Sequence, residues 1–191
     1  MRQGEPIQIV RGGRKPGGFT LIELLVVVLI AAILMGIGVP AMESLFATNR
    51  LNAVTDDLSS ALNMARSEAG KLGLKVRLSA ASGSTDWGAN GWTMNVINAD
   101  GTVGALLRQG APVSVPYTMK ATSDSLSFDS TGRLYNVTGT GQFVICQDNG
   151  PTAGAARMIT VAPSGRVRVA PNDPNGWPLD DNGHSIGDCA P

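Results

Sequence analysis

The chain has 191 residues, with 15 basic and 15 acidic side chains and a formal net charge of +0. That balance excludes a global pull towards nucleic acid, so any such contact has to come from a local patch. The length leaves room for one membrane span and one modest domain.

Residues 1–18 read as a basic, glycine-rich leader that carries no fold. Arg2, Arg11, Arg14 and Lys15 against Glu5 give it a side-chain charge of +3, and the 11 basic and 14 acidic side chains that follow leave −3. Positive charge before an apolar run favours retention on the cytoplasmic side. Between Leu24 and Met42 no residue is charged, and a spanning helix needs about 20 mostly apolar residues. Residues 19–42 can therefore cross a bilayer once. An ordinary secretory signal places its small-residue cleavage site after the apolar run. Here Gly17 and Gly18 come first, so a cut between Gly18 and Phe19 leaves the apolar helix on the mature chain. Gly36, Gly38 and above all Pro40, which removes a helical hydrogen bond, predict a kink or local loosening in it.

Glu23 is the anomaly at the mouth of this helix. A charge at the bilayer centre costs about 2.5 to 3.5 kcal/mol on insertion scales, and less near an interface. The carboxylate either dips into headgroup water or meets the free amine created at Phe19, its own or that of a neighbouring copy. Gly18-Phe19-Thr20-Leu21-Ile22-Glu23 followed by an apolar run resembles the prepilin motif of type IV pilins and type II secretion pseudopilins. The resemblance implies that a prepilin peptidase cuts after Gly18, that Phe19 is N-methylated, and that Glu23 guides docking into the growing filament. The implied partners are that peptidase, other pilins or pseudopilins, and an inner-membrane assembly platform. The implied location is a single-pass inner-membrane protein with a periplasmic carboxy-terminal domain, later drawn into a pilus or pseudopilus that extends to the cell surface.

Over residues 43–73 the apolar pattern becomes periodic. Leu51, Val54, Leu58, Leu62, Ala65, Ala69 and Leu72 recur three or four apart, the stripe of an amphipathic helix, and Gly70 and Gly73 supply its stop. If the two parts join, one helix runs from Phe19 to about Lys71, roughly 80 Å at 1.5 Å per residue.

Residues 74–191 read as a β domain. Leu74 to Ala80 alternates, with Leu74, Val76 and Leu78 on one face and Lys75 and Arg77 on the other. Ser82 to Gly91 is a loop and Gly91 to Ile97 a strand, with Asn98-Ala99-Asp100-Gly101 as its turn. Strands are predicted at Ala105–Gln109, Val113–Met119, Ser125–Asp129, Gln142–Cys146 and Arg157–Val169, the last broken by Pro163-Ser164-Gly165. Strands without intervening helices predict an antiparallel sheet packed on the long helix, an α+β fold. Cys146 and Cys189 are an even pair on the oxidising side of the membrane, without metal-ligand spacing, and read as a disulfide that staples the Pro- and Gly-rich tail to the domain.

The order of elements resembles the GspH/FimT branch of the pilin family. Ala65-Arg66-Ser67-Glu68-Ala69, Phe128-Asp129-Ser130-Thr131-Gly132-Arg133 and Ile159-Thr160-Val161-Ala162-Pro163-Ser164-Gly165-Arg166 carry that likeness.

Catalysis finds no support in the residues. His184 is the single histidine and has no nucleophile motif beside it. Asp173, Asp180, Asp181 and Asp188 lack calcium-loop spacing, so neither a metal nor another cofactor is expected. The chain reads as one that assembles and binds. In Gly165-Arg166-Val167-Arg168-Val169, strand alternation puts Arg166 and Arg168 on one face and Val167 and Val169 on the core side. Paired guanidiniums suit phosphate oxygens, and they equally suit solvation of an outer face or protection of an edge strand. Gly-Arg-x-Arg in a last strand resembles the DNA-binding motif of FimT-like minor pilins, which serve DNA uptake in natural transformation. By that resemblance Gly165, Arg166 and Arg168 bind double-stranded DNA without sequence preference. The alternative is a structural minor pilin or secretion pseudopilin that primes assembly and binds no DNA. Arg157, Lys120 and Arg133 are the other cations that would extend the patch.

Overall fold

The computed structural model describes residues 18–135, 139–147 and 156–191, so all of the leader before Gly18 lies outside the described residues. The chain divides into two compact units, Met1–Met42 and Glu43–Pro191. Helix α1, Leu21–Leu72, contributes residues to both.

In the first unit, Leu21–Val39 has a mean hydropathy of 2.8 and is long and apolar enough to cross a membrane. The helix continues without a break across Gly36, Gly38 and Pro40. Thr20 starts the helix as an N-cap: its hydroxyl accepts from the Glu23 backbone N–H at 3.3 Å, relieving one of the orphan donors of the first turn. Glu23 lies in that first turn, where a carboxylate complements the positive end of the helix dipole.

In the second unit, the α1 stripe is buried at Leu51, Leu58, Ala61, Leu62, Ala65 and Ala69. Leu72, expected on the stripe, is 47% exposed, because the helix ends there and Gly73 turns the chain away with φ +65°. Among the described residues eight strands follow: β1 Lys75–Ala80, β2 Trp92–Ile97, β3 Val103–Gly110, β4 Tyr117–Ala121, β5 Ser125–Phe128, β6 Gly141–Gln147, β7 Ala156–Val161 and β8 Val167–Val169. The domain is α+β as expected, with antiparallel pairing throughout. The strands form two four-stranded sheets, ordered β3-β2-β1-β5 and β4-β6-β7-β8.

One strand is displaced from its expected place. Val113 to Pro116 is not extended ladder, and β4 begins at Tyr117. Pro112 and Pro116 bracket that segment, and proline has no N–H to give to a ladder.

The inner faces of both sheets close on α1. Val76, Leu78, Met94, Leu126, Phe128, Met119, Phe143, Ile145, Ile159 and Val161 join the helical stripe in one buried cluster. Trp87, from the Ser82–Gly91 loop, completes it. Its ring meets Phe143 edge-on with centroids 4.8 Å apart, and its Nε1–H donates to the Ser123 carbonyl at 2.8 Å, so the buried indole has no orphan donor.

The outer face of the second sheet carries a smaller core. Val144, Cys146, Ala156, Met158 and Ala170 are buried there beneath Trp177, Ile186 and Cys189 of the tail. The expected disulfide joins Cys146 to Cys189.

Among the described residues one turn recurs at 98–102, 129–133, 162–166, 173–177 and 180–184. Each time the first residue's N–H donates to the fifth carbonyl, the fourth N–H donates to the first carbonyl, and the fourth residue is a glycine with positive φ. This is the type I turn closed by a left-handed residue that short antiparallel connections favour.

Candidate nucleic-acid interface

The 162–166 turn leads from β7 into β8 and carries the Gly-Arg-x-Arg motif. Gly165 is buried, with φ +77°, and a Cβ placed on it would lie 1.8 Å from the Gly132 carbonyl oxygen. Both the backbone angle and the contact require glycine. Gly132, at φ +75°, lies in the 129–133 turn, where an added Cβ would meet Arg66 Cγ at 3.2 Å. A Cβ on Gly165 would also lie 3.2 Å from Arg66 Nε, and the Leu134 N–H donates to the Pro163 carbonyl at 3.1 Å. The two turns therefore interlock against the side chain of Arg66 on α1.

Asp129 braces the first of these turns. Its Oδ1 accepts from the Thr131 N–H at 2.8 Å, the Thr131 hydroxyl at 2.6 Å and the Arg133 N–H at 3.1 Å. The Thr131 hydroxyl foremost, with those backbone donors and the Arg133 charge, holds the Asp129 carboxyl below the usual carboxylate range.

Arg166 and Arg168 are both exposed. Arg166 precedes β8 and has no ion-pair partner among the described residues. Arg168 pairs with Thr160 across the ladder, on the tail-covered face of the sheet, and its Nη2 lies 2.9 Å from Asp181 Oδ1. Both side chains of that pair are more than a third exposed, the range in which ion pairs contribute about 0 to 1 kcal/mol. Val167 packs against the main core as expected. Val169 does not: it is 40% exposed, because β8 is a three-residue edge strand and its far end is open on one side.

Of the other expected cations, only Arg133 joins this corner, one residue beyond Gly132. Arg157 is turned to the helix, its Nε donating to Asn52 Oδ1 at 3.2 Å. Lys120 lies on β4 at the opposite edge of the sheet, three strand spacings of about 4.8 Å away. Sequence reading missed two participants. Arg66 follows the buried Ala65 on α1, and only the approach of two distant turns gives it a role. Asp181 stands in sequence among the tail acids, and its pairing with Arg168 depends on how the tail folds back.

The tail acids serve the backbone. Asp173 Oδ1 accepts from the Asn175 and Trp177 N–H groups at 2.9 and 2.8 Å, and Asp180 Oδ1 from those of Asn182 and His184 at 2.8 Å each. Donation from the His184 N–H leads in lowering the Asp180 carboxyl. For Asp173, burial pushes upward, and donation led by the Trp177 N–H outweighs it. Asp188 accepts from the Ala190 N–H at 3.1 Å. The His184 side chain is 80% exposed, with Nδ1 at 3.7 Å from Asp180 Oδ2. No group of three or more His, Cys, Asp or Glu residues that could hold a metal ion occurs among the described residues. Gly18 and Phe19 are exposed ahead of α1, four residues from Glu23 in the case of Phe19.

Residues 54–165 match the family described as type II transport protein GspH, and residues 13–39 match the prokaryotic N-terminal methylation motif. No curated protein matches the chain. Two crystal forms of the type IV minor pilin FimU of Pseudomonas aeruginosa are similar to it. One has a TM-score of 0.54 at 26% identity over 64% of this chain and 90% of that one. The other has 0.51 at 25% identity over 63% and 92%. The minor pseudopilin EpsH of the type 2 secretion system of Vibrio cholerae has a TM-score of 0.48 at 12% identity, over 63% and 95%.

Proposed function

The chain belongs to the GspH family of type II transport proteins, and from that premise we propose a FimT-like minor pilin, placed at the tip of a type IV pilus, that captures DNA for natural transformation. It is a minor pilin or pseudopilin of a type IV pilus or a type II secretion system. Its apolar amino-terminal helix anchors it in a membrane, and it assembles with other pilins or pseudopilins. The proposal adds that the prepilin peptidase cuts after Gly18, that Phe19 is then methylated, that Glu23 engages the amine of a neighbouring copy, and that the β domain faces the periplasm before an inner-membrane platform draws the subunit into the filament. It also assigns a binding and assembly role and no catalysis.

The DNA reading rests on Arg166, an exposed guanidinium with no acidic partner among the described residues, held on a turn that only glycine permits. With Arg168 it offers two phosphate contacts in an extended segment, which position a duplex without reading its bases. The Arg168–Asp181 pair favours the second reading, a structural subunit that binds no DNA, since it occupies one of the two cations.

The test uses the full chain in detergent micelles and a fluorescein-labelled duplex. Binding should weaken steeply with salt, as counterion release requires, and Arg166→Ala with Arg168→Ala should remove most of it. Equal binding by parent and double variant at low salt sinks the DNA role and leaves the structural one. Incubation with prepilin peptidase should shorten the precursor by its first 18 residues, read by intact mass; an uncut leader contradicts the processing.

A further inference from the structure

We propose that Arg66 of α1, with Arg133, is a third element of the phosphate-binding surface, so that the duplex is gripped by a corner of three chain segments. The inference rests on the DNA reading above and concerns the same site. The sequence motif ends at Arg168, yet its glycine is seated on Gly132 and both glycines lie against the Arg66 side chain. A Cβ at Gly132 would come within 3.3 Å of Arg66 Nε, and one at Gly165 within 3.2 Å. The two positions where a side chain would crowd Arg66 have none. Each glycine is followed by an exposed arginine, Arg133 and Arg166.

Charge completes the case. Arg66 and Arg166 have no ion-pair partner among the described residues, whereas Lys71, Arg108 and Arg168 each have a carboxylate within 4 Å. Arg133 is drawn to Asp129, which already accepts from backbone and hydroxyl donors. Arg66, Arg133 and Arg166, set on the helix and the two turns beside it against the Asp129 carboxylate, leave a net positive charge at this corner that an anion would offset. A phosphodiester backbone, with negative charges repeated along its length, fits a surface whose cations come from a helix and two turns. A lone anion needs no such spread.

Arg66→Gln, Arg66→Lys and, as a charge-matched control, Lys120→Gln on the opposite sheet edge test this in the full chain. Duplex binding is followed by anisotropy across a salt series. Arg66→Gln should weaken binding about threefold, the scale of one exposed charge contact, and lower the slope of log K against log salt by about 1. Arg66→Lys should keep that slope, and Lys120→Gln should change neither quantity. Equal effects of Arg66→Gln and Lys120→Gln overturn the inference, since net charge alone would then matter. It is also overturned if Arg66→Lys loses as much as Arg66→Gln, which would make Arg66 a packing residue. If Arg166→Ala with Arg168→Ala abolishes binding while Arg66→Gln keeps the parental slope, this inference fails and the DNA reading stands. A parent chain that binds no duplex at low salt sinks both.

Discussion

The two faces of the β4-β6-β7-β8 sheet are built from alternate residues of the same strands, and they hold in different ways. The inner face, with Met119, Phe143, Ile145, Ile159 and Val161, is covered by a long helix and shares a core with a second sheet. The outer face, with Val144, Cys146, Ala156 and Met158, is covered among the described residues by a tail without helix or named strand, through Trp177, Ile186 and Cys189. Apolar area secures the first. The second relies on a covalent link and on turns whose aspartates bind their own backbone, because so small a cluster offsets little of the tail's ordering entropy. The cations of the proposed interface lie at the corner where the two regimes meet.

The largest effect should come from breaking the inner face. Phe143 is 1% exposed and meets Trp87 edge-on. Phe143→Ala should destabilise the second unit by about 3 to 5 kcal/mol, the range for a buried aromatic, read by denaturant unfolding of the full chain in micelles. A loss under 1 kcal/mol would mean that the helix is not the main cover of this sheet.

Breaking the outer face should cost less and act locally. The bridge spans 43 residues, and the chain-entropy account gives about 4 kcal/mol for a loop of that size as an upper figure. Cys146→Ser with Cys189→Ser should therefore lower stability by about 2 to 4 kcal/mol and expose the tail to proteases first, with cuts appearing between Ala170 and Cys189 while the inner core stays protected. Simultaneous cleavage throughout the second unit would show that the two faces are one cooperative body.

Much of the inner face is legible in the sequence, and little of the outer one. The Leu51 to Ala69 stripe has a helical period, and Val76 and Leu78 alternate as a strand, so their burial follows from local spacing. Trp87 is not legible, because it reaches the core from a loop rich in Gly and Ser. Nor is the division into two sheets, which depends on β5 returning to pair with β1 while β4 pairs with β6. At the candidate site, Gly165, Arg166 and Arg168 stand in one short run and can be read together. Arg66 is 99 positions from Gly165, and its role depends on where the 129–133 turn lands. The tail acids were legible only as a cluster. Their spacing within a repeated five-residue turn, visible in Asp173-Pro174-Asn175-Gly176-Trp177 and Asp180-Asp181-Asn182-Gly183-His184, is the signal that explains them.

Acid should separate the faces more gently. Asp173 and Asp180 brace the tail turns, and both carboxyls are held below their ordinary range. A carboxylate with a depressed folded pKa contributes stability above its unfolded value, near 3.9, and that contribution is lost as pH falls through the lower folded value. Asp129 follows the same sign on the helix side. Below about pH 4, protection against hydrogen exchange should fall in the tail turns before it falls in β6 and β7. Uniform protection across both would contradict the brace.

The smallest effect concerns an ion pair that crosses from tail to strand. Arg168 and Asp181 lie 2.9 Å apart at the surface, so their attraction is largely offset by solvation and Asp181→Asn should change stability by under about 1 kcal/mol. Its consequence for binding has the opposite sign. Removing the carboxylate releases Arg168 and subtracts a negative charge from the face a phosphate would approach, so duplex affinity should rise about two- to threefold at low salt. The gain should shrink as salt screens both interactions, and it should vanish when Arg168→Ala is combined with it. A rise that persists without Arg168 would mean that Asp181 repels the duplex at a distance. No rise at all would place the bound phosphates away from β8, on the Arg66 and Arg133 side of the corner.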